Sequence, residues 1–247
     1  MPKSDSASAA KARQTHFGLE VRQGSKYGLR LSRATYATIS KVASITSHKE
    51  RDLERWEREA QWFEDAEHRI YTDAWCERQQ KDALMNFDLN IARFEELDKA
   101  TFDAAVQTSL QLNPRLSEVT DLNEWSEGSA LYMMVLDEYK QVYVGIATGA
   151  GGLRKRIRQH WSNNKQFDRL IFGDAVTSTI SIDSFRALDT TRIFAAKSKN
   201  PHLLENIVLE QMPSEFVLNR IAGGTPSNTS ELKLLAARRL LIKHLES

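Results

Sequence analysis

The chain holds a single cysteine, Cys76, in 247 residues. One thiol cannot close an internal disulfide or supply a cysteine-rich zinc site. A strong net charge is also lacking: 34 Lys/Arg against 33 Asp/Glu leave +1. Whole-chain electrostatics therefore does not announce a polyanionic partner. Apolar runs of the ~20 residues a membrane span needs are absent, and the first residues lack the apolar stretch of a signal peptide. The expectation is a cytoplasmic protein without membrane partners.

Charge is present, but in blocks. Residues 1–47 carry eight Lys/Arg and two Asp/Glu, residues 49–104 nine and sixteen, and residues 150–170 six and one. Two basic stretches thus flank an acidic one. Basic stretches neutralise phosphates, whereas an acidic block repels them. The basic arm (Lys3, Lys11, Arg13, Arg22, Lys26, Arg30, Arg33) is as consistent with a solubilising tail as with contacts to a DNA backbone.

Along the chain, residues 1–14 are small, polar and basic, which predicts a flexible tail. Residues 15–36 alternate apolar and polar around Gly24 and Gly28 and suggest a short hairpin, followed by a helix beginning within 34–47. Leu53, Trp56, Ala60, Phe63 and Ile70 recur at helical spacing and predict a helix over 48–72, continuing through Asp73–Met85. A further helix is expected over Asn90–Gln111, ending at Asn113–Pro114. Trp56, Trp62 and Trp75 read as core or interface anchors. Residues 15–125 are thus expected to form a mainly helical N-terminal domain that positions DNA or pairs two copies of the chain.

After Thr120 the pattern changes. Ala130–Asp137 and Gln141–Ala147 read as a β-hairpin. Glycines at 149, 151 and 152 lead into a basic helix, Leu153–Trp161, followed by an apolar segment at 167–172. Val176–Ile182 is rich in β-branched residues and reads as a third strand. His202–Met212 is an apolar helix, and Thr229–Ser230 would cap a last amphipathic helix reaching Leu245. The fold class expected is α+β: a small three-stranded antiparallel sheet flanked by helices, occupying 126–247.

A hairpin turn centred between Glu138 and Tyr139 would pair residue 143 with residue 134. Tyr132 and Tyr143 then project from one face as diagonal neighbours. Arg156 and His160, four apart, share a face of the next helix. Four polar groups can converge on one side of a small sheet.

The stretch from Ala130 to Trp161 resembles the start of a GIY-YIG nuclease domain, the family that includes an excision-repair nuclease and some homing and restriction endonucleases. Leu131-Tyr132 stands at the first motif, as ALY, and Tyr143-Val144-Gly145 at the second. Arg156 falls on the family's arginine, and His160 on the position one turn later. Leu204-Glu205, Pro213 and Asn219 are similar to the family's last motif, with Glu205 preferred to Glu210 as the metal-binding carboxylate. Ile146 departs from the pattern, since many members carry Lys or Gln there.

The resemblance implies hydrolysis of DNA phosphodiesters with Mg²⁺ or Mn²⁺. Arg156 would pair with the scissile phosphate. Glu205 would hold the metal, and Tyr143 would take a proton from water or orient it, its phenol made more acidic by Arg156 and the metal. Tyr132 and His160 would orient the phosphate or share the proton transfer, the division among the three staying open. Asn219 would tie the last helix to the site. Arg154, Lys155 and Arg158 would contact DNA. The alternative is a catalytically silent DNA-binding module on the same scaffold.

Overall fold

A seven-residue run of apolar side chains, Ala130–Leu136, has more apolar surface than one sheet face can bury, so the strand it forms must be covered on both sides. The rest of the fold follows from that demand. The computed structural model describes residues 13–22, 28–43, 53–162, 175–176 and 178–219.

In chain order, β1 (Arg13–His16) and β2 (Leu19–Arg22) form a hairpin, α1 (Arg33–Tyr36) is a single turn, and α2 (Leu53–Glu59) runs into a 3₁₀ turn at Ala60–Trp62. Two longer helices follow, α3 (Asp73–Glu96) and α4 (Lys99–Leu112). Then come β3 (Ser117–Glu118), β4 (Ala130–Leu136), β5 (Gln141–Ala147), α5 (Gly152–Ser162), β6 (Arg192–Lys197) and α6 (Pro201–Glu210).

The main sheet has four antiparallel strands in the order β3-β6-β4-β5. One face carries Tyr132, Met134, Leu136, Ile193 and Ala195, covered by Leu153, Ile157 and Trp161 of α5, by Ile180, Ile182 and Phe185, and by Ala83 and Phe94 of α3. The other carries Leu131, Met133, Val135, Val142, Val144 and Phe194, covered by Phe102 and Val106 of α4 and Val208 of α6. Each fully buried side chain of this size contributes about 1.5–3 kcal/mol. The free edge of β5 is closed by the chain beyond α6: Leu218 N donates to Val142 O at 2.8 Å, beside a parallel bridge from Val217 to Val142.

Several expectations are corrected. The described hairpin turns at Phe17–Gly18, ahead of Gly24 and Gly28, and of the helix expected within 34–47 the described residues 34–43 show only the α1 turn, 44–47 lying outside them. The long helix expected over 48–72 stops at Glu59. Asp65 Oδ1 accepts from the backbone N–H of both Arg69 and Ile70, and His68 adopts a left-handed φ of 52°, so a tight turn replaces the helix. The apolar spacing there serves a ladder of stacked rings, Trp56–His68–Phe63–Tyr71–Trp75. The break expected between Met85 and Asn90 falls instead at Leu97 and Asp98, which are extended: α3 runs unbroken to Glu96, and the Asp98 side chain caps α4 by accepting from Thr101 N.

The sheet has four strands rather than three, and the third expected strand is misplaced. Residues 178–181 are not a strand. Their β-branched, polar pattern is satisfied by side chains of α3: Asn86 and Asn90 both donate to Ser178 O, at 2.7 and 2.9 Å. The sheet is completed by β6 instead, whose pairing with β4 spans Ala130–Val135. The segment at 167–172 and the amphipathic helix at 229–245 lie outside the described residues, as does the tail at 1–12. Among the described residues no helix is long and apolar enough to cross a membrane.

Candidate active site

The site begins with the register of one hairpin. Met134 pairs with Tyr143, and Tyr132 pairs with Gly145, as the turn position implies. Tyr132 and Tyr143 therefore share a face, with ring centroids 6.2 Å apart. Gly145 is required between them. A Cβ there would lie 2.5 Å from the Tyr132 hydroxyl oxygen and 2.8 Å from the Tyr143 ring.

Helix α5 is laid across this face by its apolar stripe, Leu153, Ile157 and Trp161. Its first residue, Gly152, sits at φ 49° with no room for a side chain, since a Cβ would lie 2.7 Å from Trp125 O. That close approach fixes where the helix starts and thus where Arg156 and His160 fall. Trp161 Nε1 donates to Thr190 Oγ1 at 3.0 Å and anchors the other end.

His160 is buried, 1% exposed, and its two ring nitrogens both have partners. Nε2 lies 2.7 Å from the Tyr132 hydroxyl, and Nδ1 lies 2.6 Å from Asp183 Oδ1. The Tyr143 ring meets the His160 ring edge-on at 5.1 Å. Arg156, one turn earlier, faces both phenols. Burial opposes its charge, but Tyr132, Tyr143 and Asp183 hold it, so its proton is more tightly bound than usual.

Burial pushes the Tyr132 phenol well above its ordinary range, against the pull of Arg156. Tyr143 is also raised, again by burial first, with Arg156 acting in the opposite direction. Arg156 pulls the Tyr143 phenol down as expected, but desolvation outweighs it and the net direction is upward.

Glu205 enters from the opposite side of the chain order, on α6, which packs against β5. It is 4% exposed, and its Oε2 has no hydrogen-bond partner. Burial raises its carboxyl, while His202 and Arg156 favour the charged form. Glu210 is exposed, on the last turn of the same helix. Asn219 grips the backbone of β5 next to Tyr143: Val144 N donates to its Oδ1 at 2.9 Å, and its Nδ2 donates to Val144 O at 2.6 Å.

A concavity of about 380 Å³ opens beside these groups, lined by Ile146, Thr148, Gly149, Lys155, Arg156 and Gln159. Lys155 and Arg158 are exposed, and Arg154 is half-buried. Ile146 belongs to the wall of this groove and packs partly on the second core.

No family model, curated protein or solved structure matches this chain.

The member of the site that sequence reasoning missed is Asp183. It lies in a 3₁₀ turn, Ile182–Ser184, reached 23 residues after His160, with no motif to mark it. Its only signal was a lone acidic residue after an otherwise uncharged stretch, which many surface turns share.

Proposed function

We propose that this chain is a metal-dependent endonuclease of the GIY-YIG type, hydrolysing DNA phosphodiester bonds. The observation that carries the reading is Glu205: a buried carboxylate oxygen with no protein partner, near Arg156 and Tyr143. Leaving such a group unsatisfied costs about 1–3 kcal/mol or more, which a cation or substrate would repay.

Among the described residues no three His, Cys, Asp or Glu side chains gather closely enough to form an all-protein metal cage. That donor set fits Mg²⁺ rather than zinc, because Mg²⁺ binds through one or two carboxylates, phosphate oxygens and retained waters. Bound at Glu205, the ion would neutralise charge developing on the phosphate.

The chain's own residues do the rest. Arg156 offers its planar fork to phosphate oxygens that enter the groove. Lys155, with Arg154 and Arg158 on the same helix, supplies positive charge for the neighbouring backbone phosphates. Tyr143, half-buried beside Arg156, orients the attacking water. Tyr132 and His160 lie behind it, closed to solvent, and take up its proton. Asn219 holds the Val144 backbone, and so the Tyr143 ring, in place.

The decisive experiment is incubation of supercoiled plasmid with the full chain and Mg²⁺ or Mn²⁺. Nicking or linearisation by wild type, lost in Arg156→Ala and in Glu205→Ala, supports the nuclease. Salt-sensitive DNA binding without cleavage under any divalent ion would instead show a silent binding module.

A further inference from the structure

With His160 neutral, the buried chain Tyr132–His160–Asp183 has one consistent arrangement of protons. An ionised carboxylate only accepts hydrogen bonds, and a guanidinium only donates them. Asp183 Oδ1, 2.6 Å from His160 Nδ1, therefore calls for a proton on Nδ1. Neutral His160 then has a bare Nε2, 2.7 Å from the Tyr132 hydroxyl. Arg156, which also faces that hydroxyl, needs its lone pairs. The one phenol proton must go to Nε2.

Resting on the nuclease reading for its catalytic part, we propose that Asp183 is a positioning residue of this site: it fixes His160 in the Nδ1–H tautomer and so makes His160 the proton acceptor for Tyr132. A carboxylate behind an imidazole orients the ring and stabilises the imidazolium that forms. Burial keeps the phenols from ionising on their own, so a base behind them is what lets the pair accept a proton. In the proposed hydrolysis, the water oxygen bonds to phosphorus and the P–O bond to the leaving oxygen breaks. The water proton ends on His160 Nε2 by way of the Tyr132 phenol, the leaving oxygen takes a proton from solvent, and His160 releases its own after turnover.

The groups facing His160 are Tyr132 from β4, Tyr143 from β5, Asp183 from the turn after α5, and Arg156 on its own helix. Arg186 holds the same turn by donating to Asp183 O at 3.2 Å.

The test is the ¹⁵N spectrum of histidine-labelled full-length protein without DNA, His160 being assigned by its loss in His160→Gln. The expected result is a neutral His160 protonated on Nδ1, with that preference lost in Asp183→Asn. A neutral Nε2–H tautomer in wild type overturns the proposal. In the cleavage assay Asp183→Asn is expected to lower kcat by about 10²–10⁴-fold, the range of a displaced acid–base group, with KM for DNA unchanged and the alkaline-rising limb of the pH profile shifted. Unchanged kcat and pH profile overturn it. A wild type that cuts no DNA sinks the nuclease reading, yet the spectrum still decides whether Asp183 sets the tautomer.

Discussion

Tyr132 and Gly145 sit directly opposite each other on β4 and β5, and the phenol of Tyr132 occupies the space where a side chain on residue 145 would begin. The two positions are one structural unit. The glycine gives the buried ring its place, and the ring delivers its hydroxyl to His160.

Gly145→Ala tests that unit. The added methyl meets the Tyr132 hydroxyl and the Tyr143 ring at once, and neither lies at the end of a flexible chain. Overpacking of this kind costs about 1–3 kcal/mol. Thermal unfolding should show that loss, and DNA cleavage should fall far more than stability does. Wild-type cleavage by Gly145→Ala would mean that Tyr132 need not hold its position.

Glu205→Gln separates stability from function. Burial raises the carboxyl of Glu205 above its ordinary value of 4.5. A carboxyl that holds its proton more tightly when folded stabilises the fold below its unfolded value and loses that contribution as pH rises through the folded one. At neutral pH the charge is therefore a burden that the amide lacks. The variant should melt higher than wild type near about pH 8, with the gap closing toward about pH 4. Mg²⁺ should raise the Tm of wild type and leave Glu205→Gln unmoved, because only the carboxylate binds it. Scanning fluorimetry with and without the ion checks both, and a Mg²⁺ response that survives in the glutamine variant would place the metal elsewhere.

Arg156→Lys keeps the charge and discards the fork. A lysine ammonium is a compact point charge that cannot pair with a phosphate bidentately. DNA affinity should stay within a few-fold of wild type, judged by fluorescence anisotropy, while cleavage drops by roughly two orders of magnitude, as for a lost transition-state donor. Equal activity of the two forms would reduce Arg156 to a general electrostatic role.

Asn219→Ala removes two hydrogen bonds to the Val144 backbone on an edge strand. The expected cost is about 1–3 kcal/mol. Hydrogen exchange should quicken at Val144, whose N–H the side chain now holds, and cleavage should fall because the adjacent Tyr143 is less firmly held. Unchanged protection of that amide would show that Leu218 alone closes the edge.

The alternation of Ala130–Ala147 and the length of its turn by themselves determined the hairpin register, because strand pairing across a short turn is a local matter with period two. The i,i+4 spacing of Arg156 and His160 determined that they share a face of α5 for the same reason. The sequence misjudged what depends on distant partners. Residues 178–181 carry strand-like composition, yet the Ser178 carbonyl and the Ile180 N–H are taken by Asn86 and Asn90 of α3, and the sheet position goes to Arg192–Lys197. Helical spacing over 48–72 turned out to build a stack of rings around a turn. Tertiary structure alone decided that Asp183 lies behind His160, that Glu205 is buried with one oxygen unpartnered, and that desolvation outweighs Arg156 at the phenols. Those are consequences of burial and of contacts between remote segments, which no local pattern encodes.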